Sequence, residues 1–176
     1  AVDGLTHLPF RIPTLPVTAL APGIDEREGA LPLPRSGQSR AMITPAAEKM
    51  LLHSEVRDPL SDFLGKRLAE WSNLNLLDRV PKVNGAATLQ IREQKQVEQL
   101  IYGPTNRFGT GLLDFLAVSH SSSPENPVEW QIRRTQCALA TGGQQPVFAD
   151  AEETLHALAG ADFDPRQVVY LPRASQ

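Results

Sequence analysis

Fifteen prolines punctuate this chain of 176 residues, and six of them (Pro9, Pro13, Pro16, Pro22, Pro32, Pro34) fall before residue 35. The whole-chain share is about 8.5%, against an average near 5%. Proline fixes φ and gives no N–H to a sheet ladder, so a segment this rich in it is confined to edges, turns and extended arms. Phe10-Arg11-Ile12 and Leu15-Pro16-Val17 are therefore expected to be extended, at a sheet edge or in a polyproline-like arm. Ala21 to Arg40 mixes Gly, Pro, Ser and charge without period and reads as a long surface loop. This divides the chain into a Pro-rich extended arm, residues 1–40, and a single α/β domain, residues 41–176.

Regular patterns begin after the arm. Thr44-Pro45 offers an N-cap followed by proline at the first helical position, for a helix to about His53. Asp58-Pro59 repeats the signal. Beyond it Leu60, Phe63, Leu64, Leu68 and Trp71 recur at spacings of three and four, with Arg57, Asp62, Lys66, Arg67 and Glu70 at the polar positions and an end near Ser72-Asn73. Asn73 to Gly85 is a connector, with Asn84-Gly85 as a turn in which both residues tolerate positive φ. Thr88 to Ile91 reads as a short strand, and Glu93 to Tyr102 as a helix with Val97, Leu100 and Ile101 inward, stopped by Gly103-Pro104. Gly109 to Phe115 reads as a short buried helix and Leu116-Ala117-Val118 as a buried strand.

The last third alternates more regularly. His120 to Pro127 is a polar loop and Val128 to Ile132 a strand. Gly142-Gly143 turns the chain into Pro146-Val147-Phe148. Asp150 with Glu153 forms a capping box for a helix over Ala151 to Ala159, ended by Gly160. Asp164-Pro165-Arg166 is a turn and Val168 to Leu171 a closing strand. The expected class is α+β (or α/β), a small mixed β-sheet with about four to five helices packed on it.

Composition removes several classes of function. With 17 Lys+Arg against 20 Asp+Glu, the net charge is −3 and no basic face for nucleic acid is implied. One cysteine, Cys137, excludes an internal disulfide and any multi-cysteine zinc site. No apolar run reaches the roughly 18 residues that span a bilayer. The first residues, Ala1-Val2-Asp3-Gly4, lack both a starting Met and the pattern of a signal peptide, so the chain is expected to be processed or excised from something longer.

Each side-chain constellation has a plain structural explanation. His7, His53, His120 and His156 show no two imidazoles at the four-residue spacing of a helical zinc motif. Ser119-His120-Ser121-Ser122-Ser123 places hydroxyls beside an imidazole, yet leads into Pro124-Glu125-Asn126-Pro127 without the glycine-flanked elbow of a serine hydrolase. Gly109-Thr110-Gly111 precedes an apolar helix but lacks the rest of a phosphate-binding fingerprint, and Gly142-Gly143 is weaker still. Asp150, Glu152 and Glu153 suit a helix start through the helix dipole, and Asp162 and Asp164 suit a turn. A glycosidase-type carboxylate pair is set in space, so sequence leaves it open. Cys137, near Arg133-Arg134, is expected to be a buried spectator.

One resemblance covers about Asn73 to Pro172. Asn73-Leu74-Asn75 followed by Val80-Pro81-Lys82-Val83-Asn84-Gly85-Ala86, then Gly111-Leu112-Leu113-Asp114-Phe115-Leu116-Ala117-Val118, then Val147-Phe148, Leu155 and Asp162-Phe163-Asp164-Pro165-Arg166-Gln167-Val168-Val169-Tyr170-Leu171 form three blocks. Together they resemble the extracytoplasmic segment of large bacterial membrane proteins of the YfhO type, with Asp-Phe-Asp-Pro-Arg the most telling piece.

That resemblance implies a non-catalytic domain on the outer face of a polytopic protein related to glycosyltransferases that use lipid-linked sugar donors. It implies packing over the membrane active site, or holding an acceptor polymer there. The implied partners are the remainder of the same membrane protein and a glycan or polymer, with no nucleic acid. The family's catalytic acidic residue belongs near the first membrane helices and has no counterpart position here. Accordingly no catalytic, cofactor-binding or metal-binding residue is assigned. Two alternatives stay open: a small hydrolase using an acidic pair or the Ser/His stretch, and a protein-interaction module whose Pro-rich arm lies along a partner's sheet edge.

Overall fold

The computed structural model describes residues 14–86, 89–104 and 108–173. Phe10-Arg11-Ile12, His7 and Thr88 lie outside the described residues. Among those described, the fold is α+β, with seven α-helices and two small sheets. Four helices have eight or more residues: α2 (Pro45–Leu52), α3 (Pro59–Leu68), α5 (Arg92–Tyr102) and α7 (Ala151–Ala159). Three are short: α1 (Ile24–Glu28), α4 (Asn75–Asp78) and α6 (Thr110–Phe115). None of the described helices is long and apolar enough to cross a membrane.

The expected single sheet is divided in two. In the first, β2 (Val118–Ser122) lies between β1 (Arg40–Met42), to which it is parallel, and β3 (Trp130–Ile132), to which it is antiparallel. Residues 81–83 extend this sheet past β1: Ala41 donates its N–H to Pro81 O at 2.8 Å, and Val83 donates to Ala41 O at 3.0 Å. In the second, β4 (Gln145–Ala149) and β5 (Val168–Pro172) run parallel and are joined through α7. The capping box on Asp150 and Glu153 starts α7, and the caps on Thr44 and Asp58 start α2 and α3.

Two apolar clusters hold these layers together. Met42, Ile101, Leu112, Val118, Leu158 and Phe163 form one, between the first sheet, α5, α6 and α7. Ala41, Ile43, Ala47, Leu51, Ala69 and Trp130 form the other, on the side of α2 and α3.

Several expectations require correction. Of Leu15-Pro16-Val17, Pro16 is extended (φ −63°, ψ 142°), but Val17 opens a 3-10 turn, Val17–Leu20, because extended backbone at the cap position is how a helical turn begins. The surface loop over 21–40 contains α1 and buries Ile24 and Ser39. On α3 the polar positions do not all face water. Arg67, and Glu70 just beyond the helix, are buried, because α4 and residues 17–28 pack on that face and Asp78 supplies a countercharge. Asn84 and Gly85 turn without positive φ, and no strand forms over residues 89–91, where Leu89 and Ile91 are exposed. Finally, the strand expected over Leu116-Ala117-Val118 begins only at Val118, because Leu116 caps α6 and Ala117 has positive φ, and it takes in His120 to Ser122 of the expected loop, whose backbone is claimed by β1 and β3.

Candidate functional site

Burying Val83 in the core sends the chain on either side of it, Lys82 and Asn84, toward a cleft beyond the C-terminal end of β1. Lys82 Nζ donates to the backbone carbonyls of Glu70 and Ser72, both at 2.6 Å. Those carbonyls converge because Glu70 and Ser72 both have positive φ (54° and 56°), a conformation that costs a non-glycine residue on the order of 1 kcal/mol. The ammonium thus straps a strained turn to the sheet extension. Burial strips its hydration and lowers its pKa to about 8, against the pull of the Glu70 and Glu48 charges.

Beneath this strap Glu70 is 1% exposed, and its Oε2 accepts no hydrogen bond from the described residues. Burial raises its pKa to about 8; the charges of Asp78 and Asp25 add to the rise, and Lys82 and Arg67 oppose it. Across the cleft, Glu48 on α2 accepts a hydrogen bond from Asn84 Nδ2 at 3.2 Å. Its pKa is also raised, first by burial, with Lys82 countering and Glu98 reinforcing. Tyr102 on α5 donates its hydroxyl to Ile43 O at 2.7 Å, and burial, with the Glu48 and Glu98 charges, pushes its ionisation upward. Glu48 and Tyr102 line one hollow, Glu48 and Lys82 a smaller one beside it, and Glu70 lies buried behind them; displaced groups gathered at a cleft are a common mark of a functional site.

The wall that ties them together is Asn84-Gly85. Asn73 clamps it by donating to Ala86 O at 2.6 Å and accepting from Ala86 N–H at 3.0 Å. A Cβ on Gly85 would stand 2.9 Å from Asn73 Oδ1, so a larger residue here would push the Asn73 amide out of its clamp. The same wall faces a main hollow of about 780 Å³ and two smaller ones of about 310 and 110 Å³. Gln90, Gln96, Gln99, Glu98 and Tyr102 line the main hollow, and Trp71 lines the smallest. Asn84 Oδ1 is buried with no hydrogen-bond partner among the described residues. Amides present donors and acceptors side by side, and the aromatic rings give flat apolar surface. That combination suits a neutral polyhydroxylated ligand.

The residues singled out from sequence are mostly elsewhere. Ser119 Oγ does lie 2.8 Å from His120 Nδ1, but it is buried, also meets Ser39 Oγ at 2.5 Å, and no carboxylate among the described residues bonds to His120. Ser122 Oγ accepts Thr44 N–H and Ser123 Oγ donates to Glu125, so both hydroxyls are used structurally. His53 bonds Lys49 O at the end of α2, and His156 is exposed on α7. Asp150 and Glu153 close the capping box, Asp164 caps its own turn, and Asp162 is exposed. Cys137 is buried. Gly109 and Gly111 pack against residues 160–163, which accounts for both glycines; Gly143 turns with φ 87°. No group of three or more metal-ligating side chains assembles among the described residues.

Sequence reasoning missed Glu48, Glu70, Lys82 and Asn84, because their meeting depends on the 81–83 segment joining β1. One available signal was the α5 segment itself, whose polar face is built of Gln and Glu in place of Lys-rich pairs. No family model matches the chain, and no curated protein or solved structure is similar to it at the level that would identify a relative.

Proposed function

We propose that this chain is a non-catalytic extracytoplasmic domain of a bacterial membrane protein of the YfhO type, related to glycosyltransferases that use lipid-linked sugar donors, and that its amide-lined cleft holds the acceptor glycan. The observation that carries the reading is the lining of the main hollow by Asn84, Gln90, Gln96, Gln99 and Tyr102 beside Glu48. Such side chains can match vicinal hydroxyls, and a hollow of about 780 Å³ accommodates a few sugar rings. The resemblance blocks support it from a second direction: Gly111 packs on Phe163, and Asp114 meets Arg166 at 3.5 Å, so two separate blocks form one folded unit.

Titrating the chain with neutral oligosaccharides while following backbone amide shifts tests the binding part. Shifts confined to residues 82–86 and 92–103, lost in Gln99→Ala, are expected; shifts elsewhere or none overturn it. Sugar transfer from a lipid-linked donor by the chain alone would overturn the non-catalytic part.

A second reading is favoured by one observation, the raised pKa of Glu48 beside the charge of Glu98. Two carboxylates, Glu48 and Glu98, lining one hollow with burial raising the pKa of the first is an arrangement that glycoside hydrolases use. It requires hydrolysis of an aryl glycoside that Glu48→Gln abolishes.

A further inference from the structure

The first sheet has a second polar hollow at its other end, where β1 and β2 begin and β3 finishes. It measures about 530 Å³ and is lined by Arg35, Arg133, Arg134, His120, Gln38 and Ser39 among others, with no Asp or Glu in the lining. In a chain of net charge −3, gathering three guanidinium groups around one groove runs against the background. The side chains of Arg35 and Arg134 are in exposed residues and donate to no group among the described residues.

Arg133 is held differently. Its Nη2 donates to Asp114 Oδ1 at 2.8 Å and to Thr135 Oγ1 at 3.3 Å, while its Nε is buried with no partner among the described residues. Asp114 is in turn bonded by the Thr135 hydroxyl at 2.7 Å and by Arg166. The guanidinium is therefore fixed from behind with donor capacity left over, the arrangement that lowers the ordering cost of binding. On the other side Ser39 and Ser119 tie His120 through Nδ1, leaving Nε2 without a protein partner, and burial keeps the imidazole below its ordinary pKa.

We infer that this groove is an anion site for a diphosphate group. Guanidinium forks match phosphate oxygens two at a time, and a diphosphate, with more oxygens and more charge than a single phosphate, can engage all three arginines on the two chain segments more fully. The inference is independent of the glycan reading, since the two hollows lie at opposite ends of β1.

The test uses the whole chain and inorganic pyrophosphate in low salt, by calorimetry. Binding is expected to be at least tenfold tighter than that of inorganic phosphate, and to weaken at least tenfold in Arg134→Glu and in Arg35→Ala. Both positions are exposed, and circular dichroism checks that each variant folds. A parallel arm measures sedimentation with neutral phosphatidylcholine vesicles containing a few per cent of a diphosphate-headed lipid. Retention lost in the same variants assigns a lipid-borne source, and pyrophosphate binding without retention assigns a soluble one. Affinity equal to that of phosphate, or indifferent to both substitutions, overturns the site. Oligosaccharide shifts at residues 82–86 should survive both substitutions, which separates failure here from failure of the glycan reading.

Discussion

Around Phe163 the protein packs apolar side chains against bare backbone, whereas around Glu70 it buries charge. In the first region Gly111 lies so close to Phe163 that an added Cβ would overlap its carbonyl oxygen. The Phe163 ring sits edge-on to Phe115 at 6.0 Å and tilted to Tyr170 at 6.2 Å. In the second, Arg67 is fully buried and forms a bidentate pair with Asp78, Glu70 is almost as deep, and Lys82 is strapped above them. The difference teaches where conditions act. Apolar packing carries no titratable group, so the largest sensitivity of this fold to protons should reside between α3, α4 and the 81–83 segment, where Glu70 and Lys82 are both strongly displaced.

Removing Arg67 is the severest way to break that comparison. Arg67→Ala leaves Asp78 buried without its cation and also releases the Ala19 carbonyl that Arg67 Nη1 holds at 2.6 Å. Stranding one partner of a buried pair costs roughly 3–5 kcal/mol. Urea unfolding should show this loss; a change below about 1 kcal/mol would mean that water already screens the pair. The apolar region's counterpart is Gly111→Ala. Its methyl can be accommodated only by moving backbone, at a cost of about 3 kcal/mol, and the loss should be the same at pH 5 and pH 8.

These regions also differ in how legible they were. Gly-Thr-Gly ahead of an apolar run, the Asp150 capping box and the Asp-Phe-Asp-Pro-Arg turn are local patterns whose physics is complete within ten residues, and α6, α7 and β5 formed where expected. Arg67 and Glu70 were assigned to water because a charged residue is seldom buried. Only the long-range meeting with Asp78, Ala19 and Lys82 makes their burial tolerable. The cleft was invisible for the same reason: Lys82 and Asn84 looked like part of a connector until an extended segment joined β1. Ser119 and His120 are adjacent in sequence and do touch, yet the hydroxyl is buried and no carboxylate among the described residues bonds to the imidazole, so proximity alone does not assemble a catalytic group.

Glu70→Gln sharpens the comparison through pH. Below about 4.5 the carboxyl is neutral in both folded and unfolded chains. Between 4.5 and about 8 the fold keeps a proton that the unfolded chain has released, so stability falls as pH rises. Lys82 acts in the opposite direction: between about 8 and 10.5 the fold has shed a proton that the unfolded chain keeps, so stability rises with pH. Together they place a stability minimum near pH 8. The glutamine variant should match the parent at pH 4 and exceed it by roughly 4–5 kcal/mol at pH 8. Parallel curves for the two proteins would show that Glu70 is not the source.

The mildest test compares a surface charge with the buried ones. Asp150 Oδ1 accepts Glu153 N–H at 2.8 Å, and Glu153 Oε2 accepts Asp150 N–H at 3.1 Å and pairs with Arg173 at 2.8 Å. This box starts the helix that carries the chain from β4 to β5, so loosening it frays one end of the parallel pair. Asp150→Ala should cost about 1 kcal/mol, while Asp150→Asn, which keeps the acceptor and loses the charge, should cost only a few tenths. If the cap works through its hydrogen bonds, added salt leaves the alanine loss unchanged. If the charge at the helix start dominates, the asparagine variant falls to the level of alanine and salt narrows the gap to the parent. Thermal unfolding of the three proteins at low and high ionic strength separates these outcomes.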